Sequence, residues 1–197
     1  VDARFYRGGF VFLPGRDAPP DQYNLFGGFL VEPDASGSCS MLHDLINEVW
    51  VQGDAALKEW VIEWLMHIIA FPGDKVGTAL AIRGEHGDGK SIVTEKLLTP
   101  ILGETMLRVA NQKLVTGDYN EALAAKLLVV AEEAAFAGDK AAFAKMKELV
   151  TGDSILINPK HKAPYTLVNH ARMMIISNRQ HFLDIEPGDR RYTVLES

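Results

Sequence analysis

Cys39 is the only cysteine in 197 residues. An intramolecular disulfide is therefore excluded, and a cysteine-built metal site has too few ligands. The six histidines are scattered without an HxxxH pair, which argues against zinc. No apolar run approaches the roughly 20 residues that a membrane span requires, and the N-terminus lacks a leader layout. Basic charge is also short: 20 Lys and Arg against 26 Asp and Glu leave a net charge of −6. That argues against a general basic coat for duplex DNA, while leaving room for a contact through one small basic element. A reducing, cytoplasmic compartment without a membrane partner is the expected setting. The chain starts at Val1 rather than Met, which is read as the mark of a domain from a longer protein. Its length suits one large domain, or a core with a small extension, and is enough to bury about 70% of the unfolded surface.

What is present is organised around Ala79–Ser91. The apolar run Ala79-Leu80-Ala81-Ile82 feeds Gly84-Glu85-His86-Gly87-Asp88-Gly89-Lys90-Ser91, and helix-compatible sequence follows to Leu98. Strand, GxxxxGK[ST] loop and helix in that order are the context of a phosphate-binding loop. Gly84, Gly87 and Gly89 allow a tight turn that aims backbone N–H groups inward, with Asp88 between the last two. The start of the next helix adds its positive dipole end. Lys90 is expected to reach the β- and γ-phosphates and the Ser91 hydroxyl to ligate Mg²⁺. The plainer alternative is a Gly-rich turn that ends in Lys-Ser.

Residues 1–40, rich in Gly, Pro and aromatics, read as short strands and turns. Met41–Trp50 reads as a short helix with Ser38 and Ser40 as capping candidates. Asp54 is placed to cap a second helix, with Leu57, Trp60, Val61, Trp64, Leu65, Ile68 and Ile69 on its apolar stripe and His67 off it. Core packing explains these tryptophans better than a cofactor box. The helix after the loop should close near Pro100 or Gly103. Met106–Val109 reads as a strand, Tyr119–Lys126 as a helix, Leu127–Ala131 as a strand ending in Glu132-Glu133, and Lys140–Val150 as a helix. Ser154–Ile157 and Tyr165–Leu167 flank a turn-rich spacer as a hairpin. Met173–Ser177 and Tyr192–Leu195 complete the strands. The alternation predicts an α/β fold with a largely parallel, covered sheet. Residues 1–75 are expected to form an N-terminal extension and helical subdomain, and 76–197 the core.

Ligands in such sheets bind at the carboxyl ends of strands, where Gly84, Glu132/Glu133 and Asn178 are expected to meet. Glu132 is the candidate for the metal shell and Glu133 for orienting and activating water; the alternative is an exposed acidic loop. Asn178 can hydrogen-bond phosphate or water, or serve as a turn former. Arg190 and Arg191 can meet phosphate bidentately, or sit in a solvated turn. Lys160-His161-Lys162 at the hairpin tip suits contact with a phosphate backbone, or merely keeps the tip soluble.

Together these residues resemble superfamily 3 helicases, especially the helicase modules of phage and plasmid primase-helicase proteins. The resemblance runs from about Tyr23 onward. It rests on GEHGDGKS, VVAEEAAFAGDK, LVTGDSILINPKHKAPY, ARMMIISN and GDRRYTVLE in that order. It implies an AAA+-like P-loop ATPase core using ATP and Mg²⁺, assembled as a homo-oligomeric, hexameric ring that grips single-stranded DNA. Lys90 and Ser91 match the Walker A loop, Glu132 and Glu133 Walker B, Lys160 the hairpin lysine, and Asn178 the sensor asparagine. Arg190 or Arg191 matches the arginine finger, and Lys75 a lysine that reaches a neighbour's nucleotide. Glu132 stands where many relatives have Asp. The primase-polymerase portion is expected elsewhere in the same polypeptide. The competing expectation is a nucleotide-binding assembly platform for a primase-polymerase, with little unwinding. A small-molecule kinase is disfavoured for want of a lid or acceptor pattern.

Overall fold

The computed structural model describes residues 6–85, 87–110, 113–132, 139–186 and 188–197. At the N-terminus, β1 (Phe10–Val11) and β2 (Tyr23–Asn24) pair in parallel. Asn24 ties the turns between them, accepting from the Leu13 N–H at 3.0 Å and donating to the Leu13 carbonyl at 2.9 Å. α1 (Ser40–Asp44) continues as a π-helical stretch, Leu45–Trp50. Its N-cap is Cys39, without a side-chain cap bond, and the Ser38 hydroxyl accepts from the Ser40 N–H. The serine caps expected from the sequence are not made. α2 (Ala55–Ala70) does start on Asp54, which accepts from the Leu57 N–H at 3.0 Å. That bond satisfies one of the orphan donors of a helix start. Val61, Trp64, Leu65 and Ile68 form its buried stripe, and the Trp64 indole donates to the Thr78 carbonyl at 3.3 Å. Trp64 is thus a core residue, and Trp60 packs half-buried beside it.

β3 (Ala79–Arg83) leads through the glycine-rich loop into α3 (Lys90–Ile92), a π-helical Val93–Leu98 and α4 (Thr99–Leu102), closing at Gly103. β4 (Met106–Val109), α5 (Lys113–Thr116) and β5 (Leu128–Glu132) follow. α6 (Lys140–Thr151) is capped by Asp139, which accepts from the Ala142 N–H at 2.9 Å. β6 (Ser154–Ile157) and β7 (Tyr165–Val168) form the expected antiparallel hairpin, before β8 (Arg172–Ser177) and β9 (Tyr192–Glu196). Within Tyr119–Lys126 the expected helix shrinks to one 3-10 turn, Glu121–Leu123. The Asn120 side chain is drawn away, accepting from the Asn158 N–H at 2.7 Å and donating to the Leu156 carbonyl at 2.9 Å. Ala125 then takes a φ of +55°, which no right-handed helix permits.

The central sheet has the order β4-β5-β8-β3-β9 and is parallel throughout. Alternation along each strand sends apolar side chains to both faces. Leu80 and Ile82 pack with Trp64, Ile68, Val93 and Leu98 on one face, while Ala79 and Ala81 pack with Phe143, Met146 and Val150 on the other. Each large aliphatic side chain buried this way stabilises the fold by about 1.5–3 kcal/mol. Double coverage is why these strands read as continuous apolar runs.

Arg172, at the start of β8, is buried against the segment after α2. It donates to the carbonyls of Phe71 and Asp74 and to Nδ1 of His67. Burial lowers its pKa to about 10, against the pull of Asp74. His67 is thus a half-buried partner of the sheet rather than a solvent-facing residue. Lys75 donates to the carbonyls of Leu149 and Gly152 at the end of α6. Its ammonium serves the helix terminus of its own chain, the end where the dipole favours a cation.

Candidate functional site

Parallel pairing fixes which residues share the carboxyl edge of the sheet. Arg83 lies level with Ser177 and Glu196, and Glu132 with Ile176. Gly84, Asn178 and Ser197 therefore emerge side by side, with Glu132 two strands from β3. A cleft of about 590 Å³ opens there, lined by Gly87, Asp88, Gly89, Lys90, Ser91, Glu132 and Asn178, and also by Glu95 and Arg108. The predicted site residues Gly87 to Ser91, Glu132 and Asn178 thus meet in one place, while Gly84 is not among the lining residues. Glu133 lies outside the described residues.

Two glycines of the loop are demanded by close approach. At Gly89 the backbone has a φ of +71°, and a Cβ would stand 2.7 Å from Leu45. At Gly84 a Cβ would collide with the Ser197 hydroxyl and the Asp88 carboxylate. Lys90 is buried, and its ammonium donates to the Glu85 carbonyl at 2.5 Å and to Asp88 Oδ2 at 3.2 Å. The same Asp88 oxygen accepts from the Ser197 hydroxyl at 2.8 Å, and the Asp88 carbonyl accepts from the Trp50 indole at 3.3 Å. Burial pushes the Asp88 carboxyl up, but bonds from Ser197 and Lys90 and the ammonium charge outweigh it and hold it below its usual value.

Across the cleft, Arg108 of β4 bridges two acids. Its Nη2 donates to Glu132 Oε1 at 2.7 Å and to Glu95 Oε1 at 2.8 Å, and its Nε reaches Glu132 Oε1 at 3.0 Å. Burial opposes the guanidinium charge, yet the bonds to Glu95 and Glu132 and their charges raise its pKa. Arg108 and Glu95 are cleft residues that sequence reasoning missed. The cross-strand pair of Arg108 and Glu132 becomes visible only once β4 and β5 are known to be neighbours.

The remaining candidates lie elsewhere. Lys160, His161 and Lys162 are exposed at the tip of the hairpin, where His161 takes a φ of +64° and Lys162 lies 3.5 Å from Glu121. Arg190 and Arg191 precede β9 and so sit at the amino edge of the sheet, opposite the cleft. Arg191 is held bidentately by the buried Asp189 at 2.7 and 2.8 Å, and its carbonyl accepts from the Ala79 N–H. Arg190 is exposed and makes no hydrogen bond or ion pair among the described residues. A further cavity of about 390 Å³ lies between α6 and the hairpin, lined by Asn120, Lys145, Glu148, Asn158 and Asn169. Among the described residues no helix is long and apolar enough to cross a membrane.

Fold and site together define a mixed α/β protein with a five-stranded parallel sheet and one polar cleft at its carboxyl edge. Residues 82–191 match the profile of a family described as "Family of unknown function (DUF5906)", and the chain belongs to that family. It is 28% identical over 146 residues to the DNA primase-polymerase of Nitratiruptor phage NrS-1, which covers 73% of this chain and 20% of that protein. The A form apo structure of the NrS-1 C-terminal region superposes with a TM-score of 0.80 at 25% identity, covering 95% of this chain and 46% of that one. An apo structure of NrS-1 residues 305–718 gives 0.80 at 25% identity, covering 95% and 47%. The chain therefore spans about a fifth of the curated relative and under half of these solved chains.

Proposed function

We propose that this chain is the nucleoside-triphosphate-hydrolysing module of a phage or plasmid replication protein, a superfamily 3-type helicase or translocase with a P-loop core. The observation that carries the reading is the convergence of Lys90, Ser91, Glu132 and Asn178, drawn from the ends of three strands into one cleft. The likeness to a phage primase-polymerase favours a role in DNA replication, with a primase-polymerase portion in the same polypeptide.

The residues present fit ATP and Mg²⁺. The loop glycines Gly87 and Gly89 hold positive φ values of +100° and +71°. At Gly87 nothing among the described residues stands within 4 Å of where a Cβ would be, a backbone suited to presenting N–H groups to phosphate. The Ser91 hydroxyl and the Glu132 carboxylate supply the hard oxygen ligands that Mg²⁺ takes. The cation, when bound, neutralises charge on the phosphate oxygens. Lys90 then pairs with the phosphates, Asn178 donates its amide to the terminal phosphate or to the attacking water, and Glu133 orients that water and takes its proton. Lys160, with His161 and Lys162, meets the backbone of single-stranded DNA.

Arg190 is the better candidate for an arginine finger, because Arg191 is committed to Asp189. The five residues of β9, at about 3.3 Å each, separate Arg190 from its own cleft by roughly 17 Å. That distance favours action on the nucleotide of a neighbouring copy in a ring. Phosphate release with and without single-stranded DNA tests the function: DNA should raise turnover several-fold. A chain that binds nucleotide but hydrolyses it slowly and indifferently to DNA is instead a nucleotide-bound assembly platform for the primase-polymerase.

A further inference from the structure

The cleft contains two ion pairs of opposite sense. Lys90 is paired with Asp88 at 3.2 Å, inside the loop, and Glu132 with Arg108 at 2.7 Å, across it. Each pair ties up a group that the proposed function requires, Lys90 for phosphate and Glu132 for the cation. Asp88 is no passing contact: the Ser197 hydroxyl donates to the same oxygen at 2.8 Å, and the Asp88 side chain is only 17% exposed. Arg108 has a second anchor in Glu95.

We propose that these two pairs make the cleft selective for a phosphate ester that arrives together with a divalent cation, and against either alone. The inference rests on reading the cleft as a nucleotide site. A phosphate oxygen taken up by Lys90 stands no further than about 6 Å from the Asp88 carboxylate, which it displaces as counter-ion. Two anions that close, in a half-shielded cleft, repel strongly. A cation taken up by Glu132 likewise stands beside the Arg108 guanidinium, which repels it. When the two ligands arrive as one, each compensates the charge that the other uncovers. The phosphate replaces Asp88 on Lys90, the cation replaces Arg108 on Glu132, and Arg108 stays on Glu95.

The test is equilibrium binding of a fluorescent ATP analogue, with Mg²⁺ or with EDTA, to the whole chain and to Asp88→Asn. The amide keeps the shape of the side chain and an acceptor for Ser197, but not the charge. Affinity for metal-free nucleotide should rise about tenfold or more in Asp88→Asn, as expected for losing a like charge at this range. Affinity for the magnesium complex should rise less, so the preference for the complex narrows. Arg108→Gln gives an independent readout: affinity for Mn²⁺ without nucleotide, followed by electron paramagnetic resonance, should rise several-fold. That second measurement decides the matter if Asp88→Asn fails to fold. Wild-type binding with no change in either variant overturns this inference alone. Failure of the wild-type chain to bind the magnesium complex overturns the reading of the cleft as well.

Discussion

At the residue scale, two neighbouring arginines with the same sequence credentials differ sharply in surroundings. Arg191 neutralises Asp189, whose side chain is 3% exposed and whose other cation, Lys147, is 3.9 Å away. The bonds from Arg191 outweigh burial and hold the Asp189 carboxyl below its usual range. Arg191→Ala should therefore cost on the order of 1–3 kcal/mol of stability, and each kcal/mol lowers Tm by about 2–4 °C in a chain of this size. Arg190→Ala should leave Tm unchanged while lowering turnover by about 10³–10⁵, the usual worth of an arginine finger. Thermal melts beside phosphate-release assays separate the two. A large loss of stability in Arg190→Ala, with turnover retained, would reverse the assignment. The sequence offered both arginines equally, because nothing local distinguishes a residue bonded to Asp189 from one facing solvent.

At the element scale, the hairpin and the α2–β8 junction make separate predictions. Lys160→Ala should weaken single-strand binding and flatten its salt dependence, since each lost phosphate contact lowers the slope by about 0.7. An unchanged slope in fluorescence anisotropy titrations at several salt concentrations would move the DNA contact off the hairpin. At the junction, burial and then the charge of Arg172 lower the pKa of His67. Burial first, with Arg172 and Arg16 adding to it, also lowers that of His170. The unfolded chain therefore takes up protons before the folded one as pH falls below about 6.5. Stability should be complete above that value and be lost as pH drops through the depressed folded values. Tm should fall between pH 7.5 and 5.5, and less steeply in His67→Gln, whose amide oxygen can still accept from Arg172. Equal slopes in the two proteins would refute this. The regular elements themselves were largely legible in the sequence: the five apolar strands, the Asp54-capped helix and the hairpin announce themselves by period and punctuation. What was not legible depended on partners far away in sequence. Asn120 breaks an expected helix by bonding Asn158, and His67 turns inward to meet Arg172.

At the scale of the whole molecule, the parallel sheet is what gives the site its logic. With every strand running the same way, the cleft and Arg190 fall on opposite edges. Under the proposed function, Arg190 therefore serves the cleft of a neighbouring copy rather than its own. The glycine-rich loop could be read from sequence because its glycines, lysine and serine are local; the pairing of Arg108 with Glu132 and of Ser197 with Asp88 waited on strand order. The most direct measurement of hydrolysis between copies is a mixing experiment with Lys90→Ala and Arg190→Ala chains. Each variant alone should be inactive in phosphate release. A mixed assembly contains junctions that pair an intact Lys90 with an intact Arg190, so activity should return on mixing and peak near equal proportions. Variants that demonstrably co-assemble and yet stay inactive at every ratio would contradict catalysis between neighbouring copies.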